Sequence, residues 1–172
     1  MRNFLAGILA AATLFILGGL AYLQLGFGEV RADLPPGRWE KTLMFSSVHA
    51  SVRRHAPELP NPIPPTDENL IAGGKIYLNE CAGCHGTPGK PDLGDSLYPP
   101  IPQLPIVGTT YTEAQIFWVA KHGIRLSGMF ANGQWDSDKK LWTVAAYIKR
   151  IKSLPPNVEQ HLAKPELPKQ GS

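Results

Sequence analysis

From Phe4 to Phe27 the chain carries no charge and is rich in Leu, Ile, Ala and Gly, with Arg2 before the run and Glu29 after it. Crossing a bilayer takes about 20 apolar residues, so this run predicts one membrane-length helix. Pro35-Pro36-Gly37 then breaks any helix leaving it. Over Arg38 to His55 the rhythm becomes amphipathic: Phe45, Val48 and Val52 share one helical face, with Met44 beside them. Arg53 and Arg54 suit the last turn, where cations complement the helix dipole, and Pro57 closes it. The expectation is a helix that packs on the following domain or lies at a membrane surface, in preference to a partner-docking surface. His49 and His55 are expected to be solvated or capping. Residues 56–65 hold five prolines and read as an extended polyproline segment of about 30 Å at ~3.1 Å per residue. It either spans that distance or is plastered over the domain.

Helical spacing returns at Thr66-Asp67-Glu68, a hydroxyl cap followed by acids, with Leu70, Gly74, Tyr77, Leu78 and Cys81 in register. Gly73 and Gly74 cost about 1 kcal/mol each against Ala in a helix, which predicts a close crossing with another helix. A long aperiodic stretch follows, through Gly86–Pro91 and Tyr98–Pro102. Thr110-Tyr111-Thr112-Glu113 has the form of a capping box; its helix carries Ile116, Phe117, Val119 and Ala120 and ends at Lys121-His122-Gly123. A last helix is predicted over Asp136–Lys152, with Leu141, Val144, Ala145, Ile148 and Ile151 inward and Trp142 or Tyr147 filling the glycine gap. Pro155-Pro156 stops it, and the polar tail to Ser172 reads as disordered or loosely draped. The fold class is all-α: an N-terminal transmembrane segment (1–27), a juxtamembrane helix and proline-rich linker (28–65), a helical domain (66–154) and a tail (155–172).

A net charge of +3 is too weak to argue for nucleic-acid binding. The cysteines are more informative. Both lie in Cys81-Ala82-Gly83-Cys84-His85, the spacing at which two thiols can bond the vinyl groups of a c-type haem while the adjacent imidazole reaches the iron. A thioredoxin-like pair would follow a strand, whereas this stretch follows a helical pattern. A structural zinc site wants four Cys or His ligands, and no further cysteine exists to supply them. His85 is therefore the expected first iron ligand. For the sixth position Met129, on a loop beside Gly128, is favoured as a soft neutral donor, with His122 the rival. Pro100 is the expected carbonyl acceptor for the His85 Nδ1–H, and Arg125 a candidate partner for a haem propionate.

Haem attachment of this kind in bacteria takes place outside the cytoplasmic membrane. Arg2 puts the short N-terminal side in the cytoplasm, so the expected location is the bacterial cytoplasmic membrane, single-pass, with the haem domain periplasmic. A cleavable signal has a shorter apolar core, about 7–15 residues, so an uncleaved anchor is favoured over cleavage near Val30-Arg31-Ala32.

Taken together, residues 66 to 154 resemble class I cytochrome c. The likeness rests on the attachment motif, on Met129 in a later loop, on Gly73 eight residues before the first cysteine, and on Tyr77 four before it. In that family the glycine and aromatic meet an aromatic of the C-terminal helix, here Tyr147 or Trp142. Many bacterial relatives have Pro after the ligand Met; Phe130 stands there instead. The wider layout is similar to membrane-anchored monohaem cytochromes of bacterial electron-transport chains. The resemblance implies one covalent haem c, His85/Met129 ligation and a non-enzymatic electron carrier between periplasmic or membrane redox partners. Two alternatives stay open: a haem subunit of a larger membrane dehydrogenase or terminal oxidase, and a sensor or peroxidase-like enzyme with an open sixth position. Charge does not select a partner, since eight bases face eight acids between Asp67 and Arg150.

Overall fold

A computed structural model of the chain describes residues 1–31, 34–87, 97 and 99–163. The segment Gly86–Pro91, and Tyr98 with it, therefore falls largely outside the described residues, as do Ala32 and the end of the tail. The chain divides into two compact units, Met1–Leu34 and Pro35–Ser172. The first contains α1 (Arg2–Gln24), a continuous apolar helix long and apolar enough to cross a membrane over Asn3–Gln24.

Among its described residues the second unit's regular elements are helices, joined by loops. Its elements are α2 (Arg38–His55), α3 (Asp67–Ile76), a π-helical turn (Tyr77–Cys81), α4 (Ala82–His85), α5 (Leu104–Val107), α6 (Glu113–His122), a short 3-10 turn (Asn132–Gln134), α7 (Asp138–Arg150) and α8 (Pro156–Ala163). The starts of α3 and α7 follow local chemistry. The Thr66 hydroxyl accepts from Asn69 N at 3.3 Å and the Ser137 hydroxyl from Lys140 N at 3.3 Å. Helix α6 begins two residues later than predicted. Two overlapping capping boxes are possible here, and Thr112 with Gln115 forms the reciprocal pair at 3.0 and 3.2 Å, not Thr110 with Glu113.

The core is the crossing of α3 with α7, with α6 laid against α7. The glycine gap is real: a Cβ on Gly73 would stand 2.6 Å from the Thr143 carbonyl oxygen and 2.8 Å from Tyr147 Cβ. Tyr147 is the aromatic that fills it, its ring 5.5 Å from that of Tyr77. Trp142 serves elsewhere, stacked flat on Phe117 at 4.1 Å. The expectation of a loose tail is corrected for residues 156–163. Pro156 suits the first turn of a helix, where no N–H is needed. Val158 is fully buried and Leu162 lies over Gly74, so α8 extends the domain.

The proline-rich linker is plastered down rather than spanning. Asn61 Nδ2 donates to Glu113 at 2.5 Å and to the Trp142 carbonyl at 3.0 Å, while its Oδ1 accepts from Ile63 N at 2.8 Å. Arg150 holds the same carboxyl of Glu113 at 2.6 Å. The end of α2 is also docked: Val52 is buried, His49 Nδ1 lies 2.8 Å from the Tyr111 hydroxyl, and the His55 ring stacks on Trp118 at 6.1 Å. Both histidines are exposed, in keeping with their reading as solvated, and their rings also contact the domain.

Candidate functional site

Helix α3 runs directly into the attachment motif, but not as a regular α-helix. A π turn over Tyr77–Cys81 inserts an extra residue per turn, a form that recurs at functional sites, and it sets the phase at which Cys81 and Cys84 leave the helix. Tyr77, wholly buried, ties down the far side. Its hydroxyl donates to the carbonyls of Gly86 at 2.7 Å and His85 at 3.1 Å. Both carbonyls lie where α4 ends and Gly86 turns the chain with φ +79°, a conformation that suits glycine. Burial pushes the Tyr77 phenol well above its ordinary range, so it stays a donor.

His85 is half-buried, and its Nδ1 lies 3.0 Å from the Pro102 carbonyl oxygen. A carbonyl can only accept, so Nδ1 carries the proton and Nε2 is the free nitrogen. The predicted acceptor, Pro100, is corrected to Pro102, two residues on. Gln103 explains the register: its side-chain amide donates to the Cys84 carbonyl at 3.2 Å, which holds this segment against α4. Burial lowers the His85 pKa, and the bond to Pro102 partly opposes it; the net effect favours the neutral, ligating imidazole.

Both thiols are unbridged, Cys81 half-buried and Cys84 exposed. Burial, with the nearby carboxylates of Glu80 and Asp136, pushes the Cys81 thiol up to about 12, against the opposing charge of Lys140. Thioredoxin-like pairs depend on a lowered thiol pKa, so this environment is the wrong one for disulfide exchange. Among the described residues no three His, Cys, Asp or Glu side chains come together to hold a metal ion, which leaves the zinc reading without a ligand set.

The Met129 loop is closed on itself. Ile124 N donates to the Met129 carbonyl at 2.9 Å, Ser127 Oγ donates to the Ile124 carbonyl at 2.7 Å, and Met129 N donates to Ser127 Oγ at 3.1 Å. Asn132 Nδ2 reaches back to the Ala120 carbonyl at 2.9 Å. Gly123 makes this possible: with φ +68° it has the Met129 carbonyl where a Cβ would stand, 2.6 Å away. A Cβ on Gly128 would meet the end of Leu97, so the segment before α5 approaches the Met129 loop. His122 is exposed at the end of α6, its ring 5.1 Å from that of Trp118. Arg125 is exposed on the loop.

These residues fit a covalently held haem. Two free thiols stand on one turn beside a neutral imidazole with Nε2 available. Leu97, the α5 residues Ile106 and Val107, and Phe130 beside Met129 are more than a third exposed, apolar surface of the kind a porphyrin covers. Residues 68–148 match the family model of cytochrome c oxidase, cbb3-type, subunit III. The matched part of the chain is a c-type cytochrome domain of the class I monohaem type. No curated protein and no solved structure matches it. The cofactor of this cytochrome is haem c, covalently bound, with Cys81 and Cys84 at the attachment spacing. When bound, it supplies a one-electron ferric/ferrous couple. The cytochrome is accordingly a haem c electron-transfer protein.

Sequence reasoning missed Pro102, Gln103, Ser127, Asn132 and the role of Gly123. Only Gly123, following a helix-ending Lys-His pair, carried a visible signal, and that signal spoke of a helix end, not of a loop closed against it.

Proposed function

We propose that this cytochrome carries electrons between periplasmic or membrane redox partners, with His85 and Met129 as axial ligands and α1 as its membrane anchor. The observation that supports it best is the closure of the Met129 loop. Both the N–H and the C=O of Met129 are bonded within the loop, and Gly123 presses against its carbonyl, so the backbone is fixed and the half-buried thioether is the group left to act. His122 is the weaker candidate because its ring is taken up by Trp118. A ligand pair fixed on both faces leaves no open position for substrate, which favours a carrier over a sensor or peroxidase. In this role His85 keeps its orientation through Pro102, and Tyr77 holds the turn beneath it. Met129 favours the ferrous state and raises the potential.

A second reading has one observation behind it. The matching family is named for an oxidase subunit, so this cytochrome could equally sit as a fixed haem subunit in a membrane oxidase. Co-purification at fixed stoichiometry after mild detergent extraction would favour that reading; isolation alone, with electron exchange to several partners, would favour the free carrier.

The decisive experiment is the oxidised and reduced spectrum of the full chain, produced with haem maturation factors and extended into the near infrared. A weak ferric sulfur-to-iron band is expected in the wild type and in His122→Ala, and lost in Met129→Ala. A high-spin spectrum with rapid carbon monoxide binding would overturn the carrier reading. A low-spin spectrum without the band would transfer the sixth ligand to His122.

A further inference from the structure

The first half of α2 is a stretch of helix that the domain leaves uncovered. From Val48 onward the helix is engaged, through Val48, Ser51 and the buried Val52 and through the ring contacts of His49 and His55. Before Val48 every residue of α2 is exposed. Four of these are large and apolar: Trp39 at 78%, Leu43 at 63%, Met44 at 44% and Phe45 at 37%.

Their directions decide what can cover them. At roughly 100° per residue, Leu43, Met44 and Phe45 lie about 40°, 140° and 240° around the axis from Trp39. A folded partner that receives a helix in a groove covers one stripe. Side chains spread through three directions need a medium that surrounds the helix. The polar groups of the stretch suit such a medium. The Thr42 hydroxyl donates to the Arg38 carbonyl at 2.9 Å and the Ser46 hydroxyl to the Leu43 carbonyl at 2.9 Å, so both are satisfied within the helix and need no water. The charged residues are Arg38, Glu40 and Lys41. The two cations can run apolar stems along the helix and keep their charge at a polar boundary, and they outnumber the acid, as an anionic surface would require. Tryptophan, too, is a residue of the lipid interface.

We propose that residues 38–46 of α2 embed in the headgroup and acyl boundary of a lipid bilayer. This rests on reading α1 as a membrane span; the thirteen residues 25–37 separate the two helices, a reach of at most about 45 Å when fully extended, which permits contact with the same bilayer.

The test uses the full-length, haem-loaded chain in nanodiscs of phosphatidylcholine and phosphatidylglycerol, with and without bromine on the acyl chains near the headgroup. The chain has four tryptophans and none in α1, so bromine quenching reports on the second unit alone. The wild type is expected to show a bromine-quenchable component that Trp39→Phe abolishes and Trp135→Phe retains. Equal quenching in wild type and Trp39→Phe would overturn the proposal. So would a Trp39 component that resists both bromine and aqueous acrylamide, since that marks a protein partner as the cover. Leu14→Trp in the Trp39→Phe background, with bromine at the chain ends, reports on the span separately. Quenching there without quenching at Trp39 sinks the inference and keeps the anchor; no quenching at either site sinks both.

Discussion

Replacing Gly73 by alanine tests whether the crossing of α3 and α7 is as tight as the geometry indicates. The added methyl would stand 2.6 Å from the Thr143 carbonyl oxygen and 2.8 Å from Tyr147 Cβ. Both atoms are fixed to the α7 backbone, so no rotamer change can relieve the overlap, and the helices must part by the better part of an ångström. Overpacking of this kind costs about 1–3 kcal/mol, and the rigid neighbours put Gly73 at the upper end. Parting the helices also loosens the Tyr77–Tyr147 contact, of a type worth about 0.5–1.5 kcal/mol. Against this, alanine gains about 1 kcal/mol of helix propensity over glycine. The net expectation is a loss of about 2 kcal/mol, or roughly 10 °C in Tm at ~4–8 °C per kcal/mol for a domain of this size. Guanidinium unfolding followed by Soret absorbance reads the haem domain without interference from α1. Gly74→Ala is the control: its methyl meets the terminal methyls of Leu162 and a Tyr147 ring atom at 3.0 Å. The leucine can turn away, so stability should stay within about 1 kcal/mol of wild type. A Gly73→Ala protein as stable as wild type would refute the close crossing.

Two further outcomes are expected. Gly123→Ala forces a side chain into φ +68° against the Met129 carbonyl; strain of about 1–3 kcal/mol should displace the loop, so the ferric sulfur-to-iron band weakens or vanishes while far-ultraviolet circular dichroism is unchanged, and an intact band would show that the loop does not depend on this glycine. Alkaline pH should expose the buried phenols. Burial, with Glu159 nearby, holds Tyr147 up at about 12, whereas an unfolded tyrosine ionises near 10. The folded state keeps a proton that the unfolded chain gives up, so the stabilisation present below about pH 10 is lost as pH rises toward 12. Unfolding midpoints measured between pH 9 and 11.5 should fall more steeply for wild type than for Tyr147→Phe; parallel slopes would count against the assignment.

What could be read from the chain in advance divides by range. The attachment motif, the cap at Thr66, the extent of α2 and the inward face of α7 are local patterns, each specified by residues within a few turns. The glycine gap was visible too, because two adjacent glycines in a helix are a cost that only a close neighbour offsets. The features that escaped depend on distant partners. Val158 and Leu162 form a short apolar pair in a polar segment, too little to predict a helix until Leu162 is seen lying over Gly74. Pro99, Pro100 and Pro102 all offer a carbonyl to His85; the choice of Pro102 follows from Gln103 gripping the Cys84 carbonyl, a contact nineteen residues long. His49 and His55 are surface residues, but their ring contacts with Tyr111 and Trp118 join segments far apart in sequence. The same division explains the site. The covalent half, Cys81 to His85, is continuous in sequence and carries its own signature. The Met129 loop, by contrast, is closed through Gly123, the Ser127 hydroxyl and the Asn132 side-chain amide, contacts that only the folded loop selects. For the proposed ligand Met129, the near-infrared band in Gly123→Ala is therefore a more searching test than in Met129→Ala, since it leaves the thioether in place and disturbs only the loop that carries it.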